Sequence, residues 1–440
     1  MLWLSRGSVW SFFFASSGFC LVAGCFLNGS ALAEATGAGT IAPPVIPAGT
    51  FSVTDFGAVP DGKTLDTDAF NQAISACVKA GGGSVVVPPG TYLLAPFQLA
   101  SHVALVLEKG ATLQATGKFT DSGLPDPLPS TQLELDLLRP VLIPLISGKN
   151  LTDVAIRGEG TIDGAGAAWW ARSEKAERTT HQPSIPRPYM IVLDNCQRVL
   201  ISGVTLTNSP KFHLVPRTCQ DVLIENVTVA TSPDAPNTDG IDPGNCRNLI
   251  IRGCHISTGD DNIAFKAGHG APTEDVTVED CVFGRGHGLS IGSETDAGVR
   301  NILARRCSFN GTTTGIRIKS DRTRGGLIQN ITYQDMTMNN VGAAISINLY
   351  YMNKAGEKQA QAKTVAATTP AVRDILISNV TATARDAGDL IGLPESPLSG
   401  ITLEHVHIVA ATPLKTQDAG DVVKNDFVVS TPAGSETSAP

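Results

Sequence analysis

Asp221-Val-Leu-Ile-Glu-Asn-Val-Thr-Val229, Asn248-Leu-Ile-Ile-Arg-Gly-Cys-His-Ile256, Asp275-Val-Thr-Val-Glu-Asp-Cys-Val-Phe283 and Asn301-Ile-Leu-Ala-Arg-Arg-Cys-Ser-Phe309 share one pattern. Each opens on a polar residue and continues with apolar residues at every second position, the period of a strand with one buried face. The pattern extends in both directions, to segments opening at Asp153, Arg198, Asn330, Asp374 and Gly400. From Arg198 onward the starts lie 23, 27, 27, 26, 29, 44 and 26 residues apart. A period of about 26 residues made of short Val- and Ile-rich strands, with no helical pattern between them, excludes leucine-rich and α-helical solenoids. It predicts an all-β chain wound as a right-handed parallel β-helix, whose coils bury their apolar faces by stacking. The long intervals, 153 to 198 and 330 to 374, predict inserted loops.

The cysteines keep the same register. Cys254, Cys281 and Cys307 follow their segment starts by six residues, and Cys196, Cys219 and Cys246 precede theirs by two. Two such columns read as interior ladders of small apolar side chains. Adjacent coils are close enough for a disulfide, but parallel Cβ vectors oppose one, so free thiols are expected. No Cys-x-x-Cys pair suggests zinc.

At the N-terminal end Phe51–Gly57 reads as a strand. Asp66–Lys79 reads as a capping helix with Ala69, Ile74 and Val78 along its apolar stripe, ended by Gly81-Gly-Gly83. A strand resumes at Val85. The triple glycine follows the helix, which argues against a nucleotide-binding loop.

The chain has 440 residues, 42% hydrophobic and 17% charged, which provides a sizeable core. Its net charge of −8 excludes a general nucleic-acid binder. Yet residues 300–330 hold seven Lys or Arg against Asp321 alone, a local face suited to an anionic ligand. Arg6, the apolar run Val9–Leu27 and Ala31-Leu-Ala33 read as a secretory signal over residues 1–33, which predicts a secreted or periplasmic protein. Val22-Ala-Gly-Cys25 also fits a lipoprotein site that would leave Cys25 lipidated; no other membrane partner is expected. Residues 34–50 read as a flexible lead-in, 51–430 as the β-helix and 431–440 as a disordered tail. A monomer is expected.

Four polar motifs fall on consecutive coils: Asn237-Thr-Asp-Gly-Ile-Asp242, Gly259-Asp-Asp-Asn-Ile263, Gly286-His-Gly-Leu289 and Gly315-Ile-Arg-Ile-Lys319. With Ile241, Ile263, Leu289 and Ile316 as inward anchors, Asp239, Asp261 and His287 stand two positions earlier in one column. Asp242, Ser290 and Arg317 stand one position later, and Lys266 and Lys319 three later. Singly, each motif suits an ordinary coil corner or an exposed strand. Together they stack like charges on neighbouring rungs, which destabilises a purely structural protein and suits a catalytic site.

These motifs, in this order and at these intervals, resemble the polygalacturonases of glycoside hydrolase family 28 from about Phe51 to Ile408. Asn208-Ser-Pro-Lys-Phe-His213, Gly286–Glu294 and Asn310–Asp321 are most similar to bacterial secreted endo-acting members. The resemblance implies the same β-helix and inverting hydrolysis of α-1,4 bonds in the polygalacturonate of pectin, with no cofactor and no metal. It implies Asp260 as general acid, Asp239 and Asp261 as the carboxylates that activate water, and His287 as the histidine governing the acid's protonation. It assigns Arg317 and Lys319 to galacturonate carboxylates, with Tyr351 beneath the sugar and Tyr350 as the alternative. Asn237 and Lys266 complete the expected substrate-binding set. The residue chemistry agrees: inversion needs one protonated carboxyl and a base with room for water. Adjacent carboxylates are expected to keep that proton on a group such as Asp260.

An exo-acting polygalacturonase or a rhamnogalacturonan hydrolase is the nearest alternative. A pectate lyase would use Asp239, Asp242, Asp260 and Asp261 as calcium ligands, and a non-catalytic sugar-binding β-helix would have no need of the carboxylates. Gly-His-Gly followed by Arg-Ile-Lys favours the hydrolase.

Overall fold

The computed structural model describes residues 35–351 and 361–432 of the chain. The leader read over residues 1–33, and the tail beyond its first two residues, lie outside them.

Coil follows coil as parallel strands in three sheets. In the first, Val199, Val222, Leu249, Val276 and Ile302 stand in unbroken register. The second carries Thr205–Thr207, Thr228–Ala230 and His255–Ser257. The third carries Ile191, Leu214, Ile241, Ile263, Leu289, Ile316 and Ile345. Every one of these anchors is buried, and they form one continuous interior.

The polar residue opening each repeat has a backbone reason. Asp153, Arg198, Asp221, Asn248, Asp275, Asn301, Asn330, Asp374 and Gly400 all adopt φ between 53° and 60°. Asn and Asp tolerate this left-handed region better than other residues with a Cβ. Their side chains also bond along the stack. Asn248 Nδ2 donates to Asp221 Oδ1 (2.6 Å), Asn301 Nδ2 to Asp275 Oδ1 (2.9 Å) and Asn330 Nδ2 to Asn301 Oδ1 (2.8 Å).

All seven described cysteines are free and buried. The six thiols of the two columns donate to backbone carbonyls, Cys219 to Leu193 (3.3 Å) and Cys246 to Pro216 (3.3 Å) among them. The ladder therefore satisfies its weak donors without covalent links.

The capping helix spans Thr67–Lys79. Its buried face is Ala69, Phe70, Ala73, Ile74 and Cys77, whereas Val78 is 46% exposed. Phe70 displaces Val78 because its ring packs on Tyr92 and Phe97, each at 5.7 Å between centroids. Full burial of such a side chain stabilises by about 1.5–3 kcal/mol. The strand read over Phe51–Gly57 is shorter, Thr50–Ser52, and passes into a 3-10 turn at Val53–Phe56.

The lead-in read as flexible is held against the first sheet over its described residues. The backbone N–H groups of Ala35, Ala38 and Val45 donate to Thr332 Oγ1, Thr277 Oγ1 and Asp153 Oδ1 at 3.0, 2.9 and 2.8 Å. At Gly37, φ is +63° and a Cβ would stand 2.4 Å from Thr277 Oγ1, so only glycine fits. Composition suggested a free segment; partners on distant coils decide otherwise.

The interval 153 to 198 holds the short helices Ala167–Trp170 and Glu174–Thr180, while Thr152–Gly158 still pairs directly with Gln197–Ser202. Together with the helix Gln132–Leu138 they stand beside the third sheet over a small core of Leu124, Leu135, Trp169 and Ile185.

Candidate active site

The third sheet brings the four motifs together. Ile241, Ile263, Leu289 and Ile316 are mutual neighbours on consecutive coils, so Asp239, Asp261 and His287 share one column. Arg317 pairs in register with Ser290 one coil away. The column forms because each coil repeats the same path, so equal offsets from an anchor stack.

Asp261 is the most tightly held carboxylate. Its oxygens accept from Lys319 Nζ at 2.5 Å, Ser290 Oγ at 2.8 Å and Arg317 Nη1 at 3.2 Å. Asp260 lies at the cleft surface. Its Oδ1 stands 2.9 Å from His287 Nδ1 and accepts the Asp261 N–H at 2.9 Å; its Oδ2 accepts from Asn237 Nδ2 at 3.3 Å. Lys266 Nζ reaches Asp242 at 2.6 Å and Asp239 at 3.6 Å. Asp239, Asp242 and Asp261 are all at most 4% exposed.

These surroundings separate the carboxyls. Burial, and then Asp242, push Asp239 well above the usual aspartate range. Burial also raises Asp242, to about 6, against the opposing charge of Lys266. Burial acts on Asp260 too, but the His287 hydrogen bond, the His287 charge and Lys319 outweigh it and bring this carboxyl to about 2. The expectation that neighbouring acids keep a proton on Asp260 is thereby corrected. Donors and cations dominate at Asp260, whereas burial raises the proton affinity of Asp239 and Asp242.

Tyr351 lies beside the cations, its ring centroid 5.4 Å from Arg317 Cζ and 5.1 Å from Lys319 Nζ. Tyr350 packs instead against Arg322, at 5.1 Å. Between the two tyrosines left open by the sequence, the structure brings Tyr351 to the site.

Two neighbours escaped the sequence reading. His213 is fully buried and held at about 4 by burial, with Nδ1 at 2.9 Å from the Asp239 carbonyl, which it pins. Arg187 donates to the carbonyls of Pro210 (2.8 Å) and Pro236 (2.5 Å) and to Asn237 Oδ1 (2.8 Å), so the Asn237 amide turns its N–H toward Asp260. His213 lies within a quoted motif, where its role had no visible sign. Arg187 belongs to an inserted segment outside the repeat, and the one hint is its setting in Pro183-Ser-Ile-Pro-Arg-Pro188.

Asp260, Asp261 and His287 bring three potential metal-ligating atoms within 4.8 Å of one another. A hard cation there would face Lys319 and Arg317, which already neutralise Asp261. The calcium site of a lyase does not fit that charge pattern. The arrangement suits acid–base chemistry on a bond flanked by anionic groups.

Comparison with known proteins agrees with this chemistry. A "Probable polygalacturonase" of Vitis vinifera is 34% identical over 377 residues, covering 83% of this chain and 75% of the relative. An "Endo-polygalacturonase" of Pectobacterium parmentieri is 31% identical, covering 78% and 84%. The crystal structure of a hyperthermoactive exopolygalacturonase from Thermotoga maritima superposes with a TM-score of 0.73 at 28% identity, covering 88% of this chain and 94% of that one. The family model for glycosyl hydrolases family 28 matches residues 77–428. With the repeat, the carboxylate column and its cations on one sheet, that match establishes that the chain is a glycoside hydrolase of family 28.

Proposed function

We propose that this chain hydrolyses the α-1,4 bonds of polygalacturonate in pectin, cutting within the polymer and inverting the anomeric centre. The observation that carries the reading is one wall on which Asp239, Asp260, Asp261 and His287 face Arg317 and Lys319. Carboxylates supply acid and base, and the cations suit a substrate with a carboxylate on each sugar.

In this reading Asp260 and His287 act as one unit. The proton between His287 Nδ1 and Asp260 Oδ1 passes to the glycosidic oxygen as the bond to the anomeric carbon breaks. Asp261, paired with Lys319 and Arg317, takes the proton of the water that attacks the opposite face, and Asp239 helps to hold that water. Arg317, Lys319 and Tyr351 hold the sugar across the cleavage point. Asn237, aimed by Arg187, orients Asp260, and Lys266 keeps the Asp239–Asp242 pair from repelling the substrate. The mature chain acts outside the cytoplasm after removal of residues 1–33, a reading that the leader pattern supports.

The test is a product-size time course on polygalacturonate with proton NMR of the first products. Early mid-length oligomers carrying the β-anomer support the reading. Monomer or dimer alone would make the enzyme exo-acting, and initial α-anomer would sink inversion.

A further inference from the structure

Asn262 stands one position before the anchor Ile263 of the third sheet. The same position on neighbouring coils is Gly240, Gly288, Gly315 and Ala344, before the anchors Ile241, Leu289, Ile316 and Ile345. Within this run of small residues Asn262 alone carries a polar side chain, and it is fully buried. A buried amide is costly unless its hydrogen bonds are made, so its partners show what holds it there.

Those partners bracket His287. Asn262 Nδ2 donates to the Arg285 carbonyl at 3.0 Å, and Asn262 Oδ1 accepts the Gly288 N–H at 2.8 Å. Its other Nδ2 hydrogen goes to the Ile256 carbonyl at 2.9 Å, on its own coil. One amide thus grips the chain two residues before His287 and one residue after it, while Asp260 stands two residues before the amide itself. Main-chain bonds join the same two loops. The Thr258 N–H donates to the Arg285 carbonyl and the His287 N–H to the Asp260 carbonyl, both at 2.8 Å.

The glycines on either side of His287 fit this clasp. At Gly286 φ is 141°, and a Cβ would stand 2.6 Å from both Nδ2 and Oδ1 of Asn262. At Gly288 φ is 80°, and a Cβ would collide with the Thr314 carbonyl of the next coil. The loop is therefore held between Asn262 on one side and the Thr314 backbone on the other. So held, it presents His287 Nδ1 to Asp260 Oδ1 at 2.9 Å.

We propose that Asn262 is the positioning residue of the Asp260–His287 pair: its amide fixes the loop that presents the imidazole to the acid. Being fully buried, it touches no substrate and acts only through His287. The inference rests on the proposed hydrolysis and deepens it, giving the proton-donating half of the site a support of its own. The water-activating half is held separately, because Asp261 keeps Ser290, Arg317 and Lys319 as partners.

The test uses the full chain with Asn262→Ala, and with Gly286→Ala as a second variant that displaces the amide from the side of the loop. On polygalacturonate kcat should fall about ten- to hundred-fold, the effect of a reacting group misplaced by about 1 Å, with KM within about two-fold. On an aryl galacturonide whose leaving group needs no proton, both variants should stay within about three-fold of wild type, because only proton donation is impaired. A crystal structure of Asn262→Ala should place His287 Nδ1 beyond about 3.5 Å from Asp260 Oδ1, outside hydrogen-bond reach, with Asp261 still on Lys319. Equal losses on the two substrates, or an unchanged His287–Asp260 contact in the variant, overturns the positioning role and leaves the amide a structural support. Wild-type enzyme that releases no reducing ends from polygalacturonate sinks the functional reading instead, and the crystallographic distance still decides the clasp.

Discussion

Asp260 and Asp239 carry the same side chain on adjacent coils and are driven in opposite directions, one to about 2 and the other well above the aspartate range. Their substitutions should therefore differ in kind. Asp260→Asn should lower turnover on polygalacturonate by at least about 10²-fold, typical of lost acid catalysis. It should lose far less on an aryl galacturonide whose leaving group needs no proton, whereas Asp239→Asn should be impaired on both. Equal losses on both substrates in the Asp260 variant would place the acid elsewhere. Arg317→Ala and Lys319→Ala carry a second expectation, because both cations hold Asp261 as well as facing substrate. Steady-state kinetics should show KM raised and kcat lowered together. A pure KM effect, with an unchanged response to salt, would mean that Asp261 does not depend on them.

The coil is the unit of stability in this molecule, and its corners rest on a single backbone conformation. Asn301 has φ 57°, donates to Asp275 and accepts from Asn330. Asn301→Ala removes both bonds and leaves a residue ill suited to that φ, at about 1–2 kcal/mol for the backbone and about 1 kcal/mol per bond. Asn301→Gly loses only the bonds. Urea unfolding should rank wild type, Gly and Ala in that order of falling midpoint; Ala as stable as Gly would remove the backbone argument. The cysteine ladder gives a second check on the coil. Thiol titration of the mature protein should find the seven described cysteines unreactive in the native state and all reactive after denaturation without reductant. Three disulfides would overturn the ladder.

Over the whole molecule, the buried charges predict how stability follows pH. Asp242 lies at about 6 against 3.8 for an ordinary aspartate, so the folded state holds its proton more tightly. Its contribution is present below the unfolded value and is lost as pH rises through about 6. Asp260 and Glu395, both at about 2, behave in the opposite sense. Their contribution is present above the unfolded values and is lost as pH falls toward 2. Calorimetric Tm should therefore peak at roughly pH 4 and fall as pH rises toward 6. A Tm that climbs steadily from pH 5 to 8 would contradict the buried Asp239–Asp242 pair.

The winding of the chain, the cysteine columns and the alignment of Asp239, Asp261 and His287 were all legible in the amino-acid sequence. The reason is that a solenoid converts spacing into position: residues one period apart become neighbours, so a one-dimensional pattern already contains the contacts. The polar residue opening each repeat was legible too, although its left-handed φ was not. Tertiary structure alone turned Phe70 inward in place of Val78, clasped residues 35–45 to the first sheet and chose Tyr351 over Tyr350. It also joined Arg187 to the site from an inserted segment, and lowered the proton affinity of Asp260 while raising that of Asp239 and Asp242. Insertions have no period to reveal their neighbours. Burial and charge, moreover, are sums over everything that surrounds a group in space, which no spacing along the chain records.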